Sequence, residues 1–281
     1  MRRLILAVCA AVVLAGCSDS DPASLGRGDQ AAATTTVAPT TTTTLPPQVE
    51  AARTLAMAEA AIRNPATPPA DIATLGQAQQ RAYGTLLSHP EWDPEVKALI
   101  PDTLRGTVEA NLVAARELRA LNGIVEPDRP LPKWRIVAPD PPEQLLPLYK
   151  AAGAAAGGVP WEYLAAIHLV ETRMGRIKGD STAGAQGPMQ FIPSTWDIYG
   201  QGGDITSNRD AIYAAARLLR ATGAPSNMAR ALRAYNNSAR YVTAVTKYAE
   251  QMAADERAYL GYHAWQVYYG TRLLPEGTVL G

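Results

Sequence analysis

Between Gly158 and Gly175 the chain reads GVPWEYLAAIHLVETRMG, and any fold of this protein has to bury the apolar face of that segment. Leu164, Ile167, Val170 and Met174 recur near the 3.6-residue period, Pro160 suits a first helical turn, and Gly175 is available as a stop, so the spacing predicts a packed helix. Glu171 falls on its apolar face, four residues after Ile167 and seven after Leu164, where another aliphatic residue is expected. Two readings follow. In one, the carboxylate sits at a partly exposed helix end and pairs with Arg173 or Arg176. In the other it is a desolvated carboxyl with a raised pKa, suited to donating a proton.

From Lys178 to Gly187 the composition is that of a loop, with Gly179, Asp180, Ser181 and Gly184, and the chain then tightens into Met189, Gln190, Phe191 and Ile192 before Pro193. Farther on stands Ala234-Tyr235-Asn236. A Glu near a helix end, a Gly-x-Met-Gln segment about 16 residues later and an Ala-Tyr-Asn after a further helix resemble the lytic transglycosylases of the lysozyme-like superfamily, over roughly residues 143–251. The resemblance implies a lysozyme-like helical catalytic domain, with Glu171 serving first as acid and then as base. It implies a substrate as well, the glycan strands of peptidoglycan. By position, Met189 and Gln190 match the Met-Gln that lines the sugar cleft. Tyr235 and Asn236 match the Tyr-Asn close to the catalytic carboxyl, where a phenol and an amide can donate hydrogen bonds to it or to an acetamido group. Thr172 stands where the family usually has Ser and keeps the hydroxyl, and Pro188 replaces the more usual Leu. The wording Gly187-Pro188-Met189-Gln190-Phe191-Ile192-Pro193 leans toward the membrane-bound branch of these enzymes.

The first residues read as a targeting segment. Arg2 and Arg3 precede an apolar run, Leu4 to Leu14, too short to span a bilayer as a stable helix. Leu14-Ala15-Gly16-Cys17 resembles the bacterial lipoprotein box, which implies removal of residues 1–16, lipidation of Cys17 and an extracytoplasmic protein anchored to the cell membrane. Cys9 and Cys17 are the 2 cysteines of the chain, so the mature protein is expected to form no internal disulfide. Residues 17–48, rich in Thr and Pro, read as a disordered tether, spanning roughly 30 Å as a coil and on the order of 100 Å stretched. With 26 basic and 26 acidic side chains the chain carries no net charge to steer it toward nucleic acid, and none is expected as a partner.

The fold class expected is predominantly α. Residues 49–123 read as a small helical accessory domain, with apolar stripes ended by Asn64-Pro65, by His89-Pro90 and by Gly123, and an interruption at Pro101. A proline-rich linker, 124–142, holds Trp134-Arg135-Ile136-Val137 as a short strand or strap. The catalytic region, 143–254, continues after the Glu171 helix with helices expected to start at Ser207, Ser226 and Ser238. In the aromatic-rich tail, 255–281, Trp265 to Tyr269 is plausible as a strand, and its aromatics are expected to pack against the catalytic domain rather than to stack on sugars.

Breaking a glycosidic bond requires a proton delivered to the departing oxygen, and ordinary glycosidases add a second carboxylate about 5 to 10 Å away. Glu171 is the one carboxyl well placed. Glu162 faces the other side of the same helix, and Asp180, Asp197, Asp204 and Asp210 lie in loops or near helix starts, where capping is the commoner role. A lone carboxyl suits a substrate-assisted route. In the family the chain resembles, the muramic 6-hydroxyl attacks the anomeric carbon and leaves a 1,6-anhydro end. A hydrolase of goose-lysozyme type, with a loop aspartate activating water, and a catalytically silent wall-binding module are the alternatives. No cofactor is expected. His89, His168 and His263 are far apart in sequence, and the loop 203–210 lacks the acidic alternation of a calcium site, so no metal is expected either.

Overall fold

The computed structural model describes residues 45–123 and 132–281. The residues read as a signal segment, Cys17, those read as a tether up to residue 44 and the first part of the expected linker lie outside the described residues. Among those described the protein is predominantly helical. The first helices are α1 (Pro47–Arg63), α2 (Pro69–Leu87), α3 (Asp93–Leu99) and α4 (Asp102–Asn122). After strand β1 (Arg135–Ile136) come α5 (Pro142–Ala155), α6 (Trp161–Thr172), strand β2 (Ile177–Lys178), α7 (Pro193–Tyr199), α8 (Asn208–Thr222), α9 (Met228–Tyr235), α10 (Ala239–Ala254) and α11 (Arg257–His263), then strands β3 (Val267–Tyr269) and β4 (Arg272–Leu274). No described helix is long and apolar enough to cross a membrane.

Proline and short polar residues set the helix starts. α1, α2, α3, α5 and α7 carry Pro in their first two positions, where its missing N–H costs no intrahelical bond. α8 and α10 begin at Ser207 and Ser238, whose side chains accept from the amides of Asp210 and Tyr241. The third expected cap is corrected by one residue. Asn227, not Ser226, accepts from the amide of Arg230 at 2.9 Å, because it stands three residues before that free N–H and Ser226 stands four.

α6 is also shorter than the spacing suggests. It ends at Thr172, since Arg173 and Met174 turn left-handed at φ 55° and 59° before Gly175 at 82°. Two consecutive L-residues in that region cost of order 1–3 kcal/mol each. Local bonds offset this: Arg173 donates to the Leu169 carbonyl at 2.7 Å, Tyr149 to Met174 Sδ at 3.4 Å, and the Gly175 amide to Thr172 Oγ1 at 3.1 Å. Nor does α6 have a single apolar face. Every residue from Leu164 to Thr172 is buried, which makes it the central helix of the molecule.

One continuous hydrophobic core runs from Leu55, Leu86 and Leu112 of the N-terminal helices to Leu164, Tyr248 and Trp265. α10 lies between α4 and α6, while α2 packs against α11. Polar contacts cross the same boundary. Glu59, fully buried, accepts from Tyr83 and pairs with Arg63, and Asn111 donates to it at 3.1 Å. Tyr262 in turn donates to Asn111 at 2.6 Å, and the Trp265 indole to Gln79 at 2.9 Å. Residues 49–123 therefore share their interior with the region that carries Glu171.

The strap at Trp134 to Val137 does form a strand. β1 pairs antiparallel with β2, Arg135 opposite Lys178 and Ile136 opposite Ile177, and the tail closes over its other edge through Thr278 and Leu280. A second, smaller core of Trp134, Ile136, Ile177, Val267, Leu274 and Leu280 fixes this clasp. The tail aromatics are packing groups, with Tyr259, Tyr262 and Trp265 buried. Trp265 follows α11, a helix not foreseen in the sequence, and the strand starts only at Val267.

Candidate active site

Glu171 occupies the last turn of α6 with 5% of its surface exposed. Its Oε1 accepts a hydrogen bond from the Tyr241 hydroxyl at 2.8 Å. Among the described residues it forms no ion pair, which removes the surface-pair reading. Arg173, itself buried, bonds instead to the Leu169 carbonyl and lies 5.9 Å from the centre of the Trp265 ring. Burial pushes the Glu171 pKa up to about 8, against the opposing pull of the Tyr241 bond. The shift favours the protonated carboxyl near neutral pH.

No other carboxylate contributes to that shift. Asp180, Asp197 and Asp204 are exposed. Asp204 accepts from both the amide and the hydroxyl of Thr206 at 2.8 Å, and these bonds hold it below the usual carboxylate range. Asp210 accepts from the Asp204 amide at 3.0 Å, so the 203–210 loop is closed by its own side chains.

Of the residues singled out in the sequence, Thr172, Met189, Gln190 and Tyr235 meet at the 186–191 turn, and Tyr235 adjoins Glu171 through Tyr241, with one correction. Neither Tyr235 nor Asn236 donates to the carboxyl. Tyr235 donates to the Met189 carbonyl at 2.6 Å, and its ring lies parallel to that of Tyr241, with centroids 6.3 Å apart and planes at 5°. The donor to Glu171 is Tyr241, because α10 starts at Ser238 and its first turn aims residue 241 inward. The sequence signal for it is slight: a Tyr three residues after a capping Ser, on the stripe Tyr241, Val245, Tyr248 and Met252, reads as ordinary core. Met189 is fully buried and offers the site its carbonyl rather than its side chain.

Thr172 ties the end of α6 to the neighbouring loop, donating to the Pro188 carbonyl at 2.6 Å. That loop is a tight turn closed by Gln186 and Phe191, which exchange backbone bonds at 2.8 and 2.9 Å. Only glycine fits at 187, where φ is 73° and a Cβ would stand 1.9 Å from the Ile205 carbonyl oxygen. Gln190, at φ 50°, uses its amide nitrogen on the Gly187 carbonyl at 2.9 Å and the Gly179 carbonyl at 3.3 Å. Its Oε1, like Oδ1 of the buried Asn236, has no partner among the described residues. Both oxygens are enclosed by the protein, so neither faces an open surface. His168 is a packed neighbour: Nδ1 lies 2.7 Å from the Tyr149 hydroxyl, and burial lowers its pKa to about 3, keeping it neutral.

The chain matches no protein-family model, no curated protein and no solved structure. The chemistry of the site accordingly rests on its own geometry, a buried, protonated carboxyl held by one phenol.

Substituting Tyr241 with Phe removes the one hydrogen bond to Glu171, and since that bond lowers the pKa, the value is expected to rise above about 8. A carbon-13 titration of the Glu171 side-chain carboxyl reads this directly. An unchanged or lower value would mean that Tyr241 does not hold the carboxyl.

Proposed function

We propose that this protein is a membrane-anchored lytic transglycosylase with a lysozyme-like catalytic region, cleaving the β-1,4 bond between N-acetylmuramic acid and N-acetylglucosamine in peptidoglycan. The observation that carries the reading is Glu171, a buried carboxyl held by the Tyr241 hydroxyl, with a pKa raised by burial and no carboxylate partner acting on it. A proton ready at pH 7 is what the departing glycosidic oxygen needs. The lack of a coupled second carboxylate supports a route in which the substrate supplies the nucleophile.

In this mechanism Glu171 gives its proton to the leaving oxygen of N-acetylglucosamine as the bond to the muramic anomeric carbon breaks. The resulting carboxylate takes the proton of the muramic 6-hydroxyl as that oxygen bonds to the same carbon. One bond breaks, one forms, no water is consumed, and Glu171 ends protonated as it began. Tyr241 donates to Oε1 throughout and stabilises the transient carboxylate. Thr172, Met189 and Tyr235 hold the loop and the phenol pair in place, and Gln190 braces the same loop through the Gly187 and Gly179 carbonyls. Digestion of purified peptidoglycan with mass analysis of the fragments tests the activity.

Attachment has its own test. Lipidation at Cys17 requires its thiol, so a Cys17→Ser protein is expected to leave the detergent phase and to lack the mass of the acyl chains. Unchanged membrane retention would sink the lipoprotein reading.

A further inference from the structure

α9 turns one face to the core and the other to solvent. Ala231 and Leu232 are buried and Tyr235 packs against the same core, whereas Arg230 and Arg233 stand one turn apart on the exposed side. They belong to a local excess of charge: from Asn208 to Ala249 the chain carries seven Arg or Lys and one Asp, although the whole balances at 26 and 26. Several of these cations are already engaged. Arg209 pairs with Asp210 at 3.4 Å, Arg240 with Glu117 at 2.8 Å and Lys247 with Glu250 at 2.9 Å, while Arg217 is half-buried against the Tyr199 carbonyl at 2.7 Å. Arg220, Arg230 and Arg233 are exposed and have no carboxylate partner among the described residues. Arg220 bonds to the Ala224 carbonyl at 3.1 Å, and the stem of Arg230 lies over Gly223, so both gather at the junction of α8 and α9.

We infer that Arg220, Arg230 and Arg233 form a cationic rail that binds the carboxylates of the peptide stems hanging from the glycan strand. This deepens the peptidoglycan reading and rests on it. Arg230 and Arg233 lie on the side of α9 opposite Tyr235, about one helix diameter, roughly 10 Å, from its inner face, and Arg220 joins them from the end of α8. Tyr235 stacks on Tyr241, the donor to Glu171, so α9 borders the site and a strand bound there passes beside its solvent face, where its stems project. Guanidinium groups match their carboxylates with paired N–H donors. A lipid surface fits less well, because the exposed large apolar side chains among the described residues, Met57, Leu99, Ile198, Leu273 and Val279, are all outside α8 and α9.

The test compares wild type with Arg230→Gln/Arg233→Gln, both changes lying on the exposed face, on stem-bearing glycan strands and on the same strands stripped by an amidase. The rail predicts that KM rises about 2- to 10-fold on stem-bearing strands, the range for losing two exposed charge pairs, with kcat unchanged and no effect on stripped strands. An equal rise on both substrates, or none on either, overturns it. So does a loss of binding to phosphatidylglycerol vesicles with no dependence on stems, which would assign this face to the membrane. Co-sedimentation of the Glu171→Gln protein with intact sacculi and with stripped strands separates the rail from the activity. If neither substrate is cleaved by wild type, the activity fails. Stem-dependent sedimentation that disappears with the two arginine substitutions then upholds the rail, and sedimentation indifferent to stems removes it.

Discussion

Replacing Glu171 with Gln is expected to lower turnover of peptidoglycan by about 100-fold to 10,000-fold, the span typical of losing general acid catalysis, while leaving the helical fold intact. Gln keeps the size and the ability to accept from Tyr241 but has no proton to give. The wild-type rate should itself fall as pH rises through about 8, where the carboxyl ionises. Activity near wild type in Glu171→Gln would mean that another group delivers the proton.

The same substitution carries a stability signature of definite sign. The folded pKa of Glu171 is about 8 against an ordinary 4.5, so between those values the folded protein holds a proton that the unfolded chain has released. Stability therefore falls as pH rises through that window, by at most about 1.4 kcal/mol per pH unit for one proton. His168 and His263 act in the opposite sense. Burial lowers them to about 3 and about 4 from an ordinary 6.5, so their contribution is present above 6.5 and lost as pH falls. Between about 6.5 and 8 the Glu171 slope is not opposed by these histidines. Denaturant titrations of wild type and Glu171→Gln across that interval should show the decline in wild type and a flatter profile in the variant. Parallel profiles would mean that Glu171 is ionised in the folded protein at neutral pH.

Periodicity and punctuation made most of the helices legible. Stripes such as Ala52, Leu55 and Ile62 are core, and Asn64, Gly123 and Gly223 stand at helix ends. Local rules failed where distant contacts decide. α6 stops two residues before Met174 because the Arg173 guanidinium and the Tyr149 hydroxyl hold a left-handed pair that propensity disfavours. Helix α11 went unseen because Tyr262 and Trp265 are placed by Asn111 on α4 and Gln79 on α2, 151 and 186 residues away, and Tyr259 by Pro142 at the start of α5. In the candidate site, the anomaly of a carboxylate among aliphatic residues was visible at Glu171. Its donor was not, since Tyr235 and Tyr241 are alike in sequence and differ only in which oxygen each phenol meets.

The product of the reaction tests the central claim most directly. If no protein carboxylate activates water, the muramic 6-hydroxyl captures the anomeric carbon, and fragments from purified peptidoglycan end in nonreducing 1,6-anhydromuramic acid. Each such end is lighter than its hydrolysed counterpart by one water, about 18 Da, and reaction in heavy-oxygen water leaves it unlabelled because solvent does not attack in this mechanism. Mass spectrometry of a digest run in heavy-oxygen water is therefore expected to show anhydro ends without the label. Reducing muramic ends that carry it would contradict the account and point instead to a lysozyme-type hydrolase, with Glu171 as acid and a loop aspartate such as Asp180 or Asp204 activating water.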